Sequence, residues 1–591
     1  MTTTLSEALT QLTVPDLKDL ASHLPGAEKL GRKDELIALI AGSMLGSALN
    51  TVWSALDKLQ QAAVAEATHH PLGEYSQQRF QARYQNVPAF SVAGVKSHGY
   101  SGNRRSALRL FIHYERDTAS YVIPADLRAR LKAFVPPPEP LALESSETLA
   151  DDAELTIRLT EREALQEAVV MLRTLAQERV QVSEKTALPG AATLRQLTDK
   201  LAGGDFYPWV EKKDKGDQEI GPIKAFAWPL LLQAGGLAKG AGSRLTLSPA
   251  GVKALAAPPA DVLRGLWRKW LKSTLLDEFS RIDAIKGQNA KGRVMTAIAP
   301  RRVAINEALQ KCSVGRWVAI EEFSRFMQAE NLIFGIAHDP WKLYLSDRQY
   351  GSLGYEGSNG WHILQKRYLL ALLFEYAATL GIIDVAYADP ARASKDFRKL
   401  WGTDELSFLS RYDGLCYFRL TPLGAYVLGL HADYTPATIA STLALSVLPS
   451  LLIKVVRGTP TTEETLLLEN WASPVDTESW RLDRGKALAA IERGCDIAEL
   501  QRFLESRDDT PLPPPVETFI QQSARNGKAL KLTGSALLVE CHDSATAEII
   551  AGHKETASLC LRAGAKSLVV RNDHLEKFRE RVRLLGFGLV S

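Results

Sequence analysis

The sequence is short of the residues that mark several common chemistries. Its five cysteines (Cys312, Cys416, Cys495, Cys541 and Cys560) lie far apart, form no C-x-x-C pair and have no histidine at ligand spacing. That pattern argues against a zinc site or a disulfide framework and fits a reducing compartment. Long apolar runs are missing too. The nearest, residues 439–456, is interrupted by Ser441, Thr442, Ser446, Pro449, Ser450 and Lys454, and a membrane span needs roughly 20 apolar residues. The opening MTTTLSEALTQL has neither the basic flank nor the apolar stretch of a secretory signal. Charge is nearly balanced, 71 Lys and Arg against 68 Asp and Glu, for a net +3. Any nucleic-acid surface must therefore be local. These absences predict a soluble, cytoplasmic protein that makes no membrane contact.

Catalytic signatures are also absent. A P-loop needs G-x-x-x-x-G-K-[ST], so that backbone amides and Lys hold phosphates while the hydroxyl binds magnesium. The Gly-Lys pairs here, Gly485-Lys486-Ala487 and Gly527-Lys528-Ala529, lack both the hydroxyl and the upstream glycine. No DExH or DExD box, H-E-x-x-H, G-x-S-x-G or His/Asp metal cluster occurs. His69-His70 precedes Pro71 and reads as a helix end. Asp151-Asp152 and Asp508-Asp509 fall in linker or turn contexts, where solvated carboxylates are expected. A nuclease would need carboxylates and a lysine gathered on a sheet, and no motif announces that. The expectation is a non-enzyme with no cofactor and no metal.

What the sequence does have is a repeated corner. In FRLTPLGAYVL (residues 418–428) a short strand meets Thr421, Pro422 and then helical spacing. Thr caps the free amides of a helix, and Pro at the first helical position needs no amide proton. RLTLSPAGVKAL (244–255) repeats the corner with Ser248-Pro249, and YVIPADLRARL (121–131) repeats it with Ile123 in place of the polar cap. A strand entering a Pro-started helix resembles the closing edge of winged-helix domains. A chain of 591 residues has room for several.

The predicted class is α+β, mostly helical, in five parts. Residues 1–45 hold two short amphipathic helices around Gly31-Arg32-Lys33, which resembles the SAP motif, a DNA-associated helix-loop-helix. Arg32 and Lys33 would meet phosphate at the start of the second helix. Residues 46–135 form a helical, winged-helix-like module with Arg104 and Arg105 opening a helix at 106–114, and PPPEP (136–140) plus the acidic 144–154 read as a linker. Residues 155–257 and 260–432 are expected as two winged-helix domains, the second with an enlarged wing at 388–413. In the first, Lys239 and Arg244 lie on the wing. The stretch KGQNAKGRVMTAIAPRR (286–302) carries Lys286, Lys291, Arg293, Arg301 and Arg302 with no acid, a basic loop that would release counterions from DNA. Arg316 follows. Trp267 and Trp270, at i,i+3 beside Leu263 and Leu266, read as core rather than as a stacking platform.

The last part, 436–591, contains FLESRDDTPLPPPVETFIQQSARNGKALKLTGSALLVE and a final HLEKFRERVRLLGF. These resemble the helicase-associated domain of XPB-type helicases, which in bacteria also occurs in separate proteins. The resemblance implies DNA-linked work beside a helicase or ATPase subunit and carries no catalytic residue. The expectation is thus a non-catalytic DNA-binding accessory protein, gripping the phosphate backbone with little sequence preference. A protein-binding scaffold without DNA contact is the alternative.

Overall fold

The computed structural model describes the chain except residues 1–2, 27–30, 99–102, 117–118, 150–153, 210–217, 291, 293, 394, 437–442, 533 and 591, and the side chains of 357–359. The fold is α+β, with helices outweighing six small antiparallel sheets among the described residues. Two compact units form, one from 1–441 with 460–466 and the other from 442–459 with 467–591.

In the first unit the N-terminal helices are set by capping. Thr4 accepts from the Glu7 amide to start Leu5–Thr10, and Thr13 accepts from Asp16 to start Val14–Ala21. Leu17 and Leu20, with Leu36 and Ile40 of helix Lys33–Met44, point inward, while Ile37, whose spacing puts it on the same face, is half-buried. Their core does not stop at residue 45, however. It runs on through Phe80, Leu108, Phe111 and Leu127, so 1–45 and 46–135 fold around one interior. The helix expected at 106–114 is a single 3-10 turn, Ala107–Leu110, followed by strand His113–Glu115. Leu108, Leu110, Phe111 and Ile112 are all buried, a spacing that one helix face does not provide.

The repeated corner is real to the level of single atoms. Ser248 Oγ accepts the Gly251 amide at 3.0 Å and donates to the Gly236 carbonyl at 2.7 Å. Thr421 Oγ1 accepts the Gly424 amide at 2.8 Å and donates to the Gly381 carbonyl at 2.7 Å. The cap amides donate to Leu237 and Ile382, the residues after those glycines. Gly236 and Gly381 take φ of +68° and +69°, a conformation that glycine enters without the Cβ penalty. Gly251 and Gly424 are needed for closeness: a Cβ would stand 2.0 Å from the Leu237 carbonyl oxygen or 2.1 Å from that of Ile382. In both copies a helix ends at glycine, a strand leaves, a second strand returns, and a capped helix closes the unit. Strands Ala238–Ala241 and Arg244–Leu247 do this in the first copy, Ile383–Tyr387 and Leu415–Leu420 in the second. The third copy keeps the glycine (Gly73, φ +73°) and the returning strand Ser120–Val122, but Pro124 caps nothing with a side chain.

The segments expected as separate domains at 155–257 and 260–432 share one core, from Ala164 to Leu428. They also share a sheet: Trp317–Ala319, Leu415–Leu420, Ile383–Tyr387 and, from the other segment, Thr156–Arg158. Thr160 ties them, its amide to Asp384 at 2.9 Å and its hydroxyl to the Ile383 carbonyl at 2.6 Å. The acidic linker is tied down as well, since Ser146 exchanges two backbone hydrogen bonds with Trp317. Trp267 and Trp270 are core, as their spacing predicts. Helix Gln365–Ala371 runs into a π-helical turn, Leu372–Ala377, that aims Glu375 inward.

In the second unit the strands Ala444–Val447, Leu452–Arg457, Ser479–Leu482 and Ala472–Asp476 form a sheet, with Trp471, Trp480 and helices Arg484–Glu492 and Pro514–Asn526 around one core. Asp508, expected to be solvated, accepts the Val447 amide at 2.7 Å and both polar groups of Thr510. Gly527 ends its helix with φ of −64°, not in the left-handed form expected of a terminal glycine. Its missing Cβ makes room for Ile491 instead: a Cβ there would stand 2.7 Å from the Ile491 side chain. No strand forms at 529–532, where Leu530 and Leu532 are exposed. The final sheet sets Ala536–Glu540 and Cys560–Arg562 on either side of Ser567–Arg571.

Candidate nucleic-acid interface

The cations singled out in the sequence go to very different places. Arg301 and Arg302 are inside the protein, on helix Ile298–Leu309, and so are not phosphate contacts. Arg301 meets Asp277 at 2.9 Å, and Arg302 meets Glu278 at 2.6 Å while donating to the carbonyls of Trp270, Ser273 and Leu276. The acid-free reading of 286–302 missed these partners because Asp277 and Glu278 lie just upstream of it. Arg316 is held by Glu147 at 2.9 Å and by the Ser145 carbonyl. Arg105 bonds Asp16 at 3.0 Å and opens no helix; Arg104 beside it is half-buried. Arg32 and Lys33 are exposed, but the first turn of their helix already holds Asp34 and Glu35, and Lys33 donates to the Thr10 carbonyl at 2.8 Å. Lys239 and Arg244 stand exposed on their hairpin. Lys291 and Arg293 lie outside the described residues. Lys286 is exposed and is the one predicted cation that the structure joins to a larger polar surface.

That surface begins with a backbone exchange between Lys286 and Tyr344, whose amides donate to each other's carbonyls at 2.7 and 3.2 Å. Gly287 permits it, since a Cβ there would fall 1.9 Å from the Lys342 carbonyl oxygen. Lys286, Lys342 and Arg348 then line one groove together with Asp283, and Asp283 is held by Arg411 at 2.6 Å. Lys342 pairs with Asp339 at 3.5 Å, so the net positive charge of the groove rests on Lys286 and Arg348.

Beside the groove two excursions meet that are far apart in sequence. The first, after Asp339, turns through Trp341 and Tyr350 to Tyr355; the second carries Trp401. Ser346 donates to the Gly402 carbonyl at 2.5 Å, and the rings of Tyr350 and Trp401 lie 5.6 Å apart. Gly402 takes φ of +79°, and a Cβ there would stand 2.6 Å from Ser346 Oγ. Trp341 is fixed from both sides. Asp339 accepts its amide at 3.2 Å, Tyr355 meets it edge-on at 4.8 Å, and Gly354 packs so close that a Cβ would fall 2.2 Å from the indole. Of the five aromatic side chains exposed among the described residues, these four account for all but Tyr114: Trp341 at 55%, Tyr350 at 60%, Tyr355 at 68% and Trp401 at 53%.

Buried ion pairs anchor the second excursion. Arg367, fully buried, holds Asp396 at 2.6 Å and Asp413 at 3.2 Å, and Lys366 adds a contact to Asp396 at 3.3 Å. Burial pushes the Asp396 carboxyl up, but the Arg367 guanidinium and the Lys366 ammonium outweigh it and hold the group down at about 2. Phe397, also buried, pins the next residue. Below the groove, Arg281 pairs with Glu375 on the π-helical turn, and the Tyr412 hydroxyl donates to the same carboxylate.

Tyr344, Tyr350, Tyr355 and Trp361 make residues 343–361 rich in aromatics, but Trp361 is core while Tyr350 and Tyr355 stand exposed. Trp341, Lys342, Arg348 and Trp401 were missed. The available signal was the alternation of aromatic and cationic residues in WKLYLSDRQY. Among the described residues no group of three or more His, Cys, Asp or Glu side chains is placed to hold a metal ion, and no single helix is long and apolar enough to cross a membrane. No protein-family model matches the chain, and no curated protein matches it.

Proposed function

We propose that this chain is a non-catalytic DNA-binding accessory protein, built of winged-helix-like modules and working beside a separate helicase or ATPase. The observation that carries the reading is the groove of Lys286, Lys342 and Arg348, which stays net positive although Asp283 lines it, held by Arg411, and Asp339 pairs with Lys342. The matching corners at Ser248 and Thr421 support the modular reading, because each closes a helix–strand–strand–helix unit with the same bonds. The helicase partner rests on the resemblance of residues 504–538 to the XPB-associated domain. Bacterial DNA maintenance and defence against foreign DNA are the settings this fits.

Binding of a duplex DNA, measured against salt, tests the reading. Each cation that neutralises a phosphate contributes a slope of about −0.9 in log K against log salt. Replacing Lys286, Lys342 and Arg348 by Ala should weaken binding and flatten that slope by up to about 3. No binding of any DNA at low salt would sink the proposal.

A protein-binding scaffold is the second reading, and one observation favours it. In the final sheet Leu538 lies opposite Val569, and Val569 opposite Leu561. Leu538 and Leu561 are 70% and 73% exposed, while the buried face is taken by Leu568, Val570, Phe578 and Val582. An exposed apolar row across three strands suits a protein contact.

A further inference from the structure

The groove and the aromatic surface beside it have a combined chemistry that neither has alone. Duplex DNA hides its bases in the stack and offers a protein mostly phosphate and groove edges, so exposed indole and phenol rings gain little from it. A single strand presents the faces of its bases, and stacking on aromatic side chains then supplies much of the affinity. We propose that the surface formed by Trp341, Tyr350, Tyr355 and Trp401, with Lys286, Lys342 and Arg348, binds single-stranded nucleic acid, bases against the rings and phosphates along the cations. The proposal rests on the reading of the chain as a nucleic-acid binder and narrows it to the strand state.

Three features argue for it. The rings are held in advance of any ligand: Gly354 backs the Trp341 indole, Asp339 fixes its backbone, and Ser346 locks the second loop through Gly402. Preorganised rings lose little freedom on binding. The acids of the first loop are engaged within it, Asp339 accepting from the Trp341 amide and pairing with Lys342 at 3.5 Å, and Asp347 accepting from Gln349 and Tyr350 at 2.7 and 3.1 Å. On the second loop Lys395, Arg398 and Lys399 stand exposed against Asp404 and Glu405. Charge there is close to balance, which leaves stacking as the main attraction.

The test is fluorescence anisotropy with the full chain and a labelled oligo-dT of roughly 20 nucleotides, long enough for one such surface. An oligo-rU of equal length and a mixed-sequence duplex are competitors. Expected is tighter binding of single strands than of duplex, with dT and rU separating DNA from RNA as the natural source. Trp341→Ala or Trp401→Ala should weaken single-strand binding by about 5- to 150-fold, as the loss of one stacked base does. Trp341→Phe should restore most of it, which loss of folding would not allow. Circular dichroism of each variant checks the fold. Duplex binding equal to or tighter than single-strand binding, unchanged by the ring variants, overturns this inference and leaves the DNA-binding reading standing. Absence of binding to every probe overturns both.

Discussion

Arg302 Nε lies 2.6 Å from Glu278 Oε1, and solvent reaches neither side chain. The carboxylate is completed by Trp270 Nε1 at 2.9 Å and the Tyr368 hydroxyl at 2.9 Å. This is an interior polar joint between helix Ile298–Leu309 and the segment before it. Removing one partner of such a pair costs about 3–5 kcal/mol, because the other charge stays buried and alone. Arg302→Ala should therefore destabilise the first unit by that order. Arg302→Met combined with Glu278→Gln should cost less than the single change, since no net charge is stranded. Chemical denaturation of both variants checks the order.

The corners give a second expectation. Thr421 is buried and Ser248 half-exposed, yet they make equivalent bonds. Thr421→Ala should cost about 1–2 kcal/mol, and Ser248→Ala less, because water replaces part of what is lost. Gly424→Ala should cost at least as much as Thr421→Ala, given the 2.1 Å approach to the Ile382 carbonyl. Shifts in thermal unfolding midpoint rank the three.

His113 sets a pH dependence. Burial pushes its imidazole down to about 4, with Arg109 and Arg105 acting in the same sense and the Leu110 carbonyl and Asp126 opposing. The unfolded chain, near 6.5, takes the proton first as pH falls. Stability from this residue is whole above about pH 6.5 and is lost as pH drops toward 4. Between pH 7 and 5 the loss should be about 2 kcal/mol, and His113→Asn should reduce it. Denaturation curves at the two pH values decide the matter.

Asp396 acts in the same direction but over a lower range. Its folded value lies below that of a free carboxyl, so its contribution is complete above about pH 4 and lost only as pH falls toward 2. At neutral pH Asp396→Asn removes the charge that Arg367 and Lys366 hold. Hydrogen exchange should then rise across residues 395–405, with Trp401 less well fixed against Tyr350.

Some of this was legible in the sequence because it is local chemistry. Thr421-Pro422 and Ser248-Pro249 name a helix start by their own side chains, and Leu17, Leu20, Leu36 and Ile40 name a buried face by spacing. The shared core of 155–257 and 260–432 was not legible, because Thr160 finds Asp384 only after the chain has folded back over long range. The same holds for the candidate interface. Tyr350 and Trp401 become neighbours through a tertiary contact. Counting cations within one stretch placed Arg301 and Arg302 outside, since their partners Asp277 and Glu278 stood beyond its edge.

The corner at Thr421 and the one at Ser248 hold their two strands together with the same bonds, yet the first closes over residues 388–414 and the second over a tight turn at Gly242 and Ser243. Lengthening a loop to that extent costs about 2 kcal/mol in closure entropy, within what one cap and its glycine contribute. The corner is in that sense a socket. Its fixed base tolerates inserts of very different size, so new surface can be grafted between the strands while the fold beneath stays as it is.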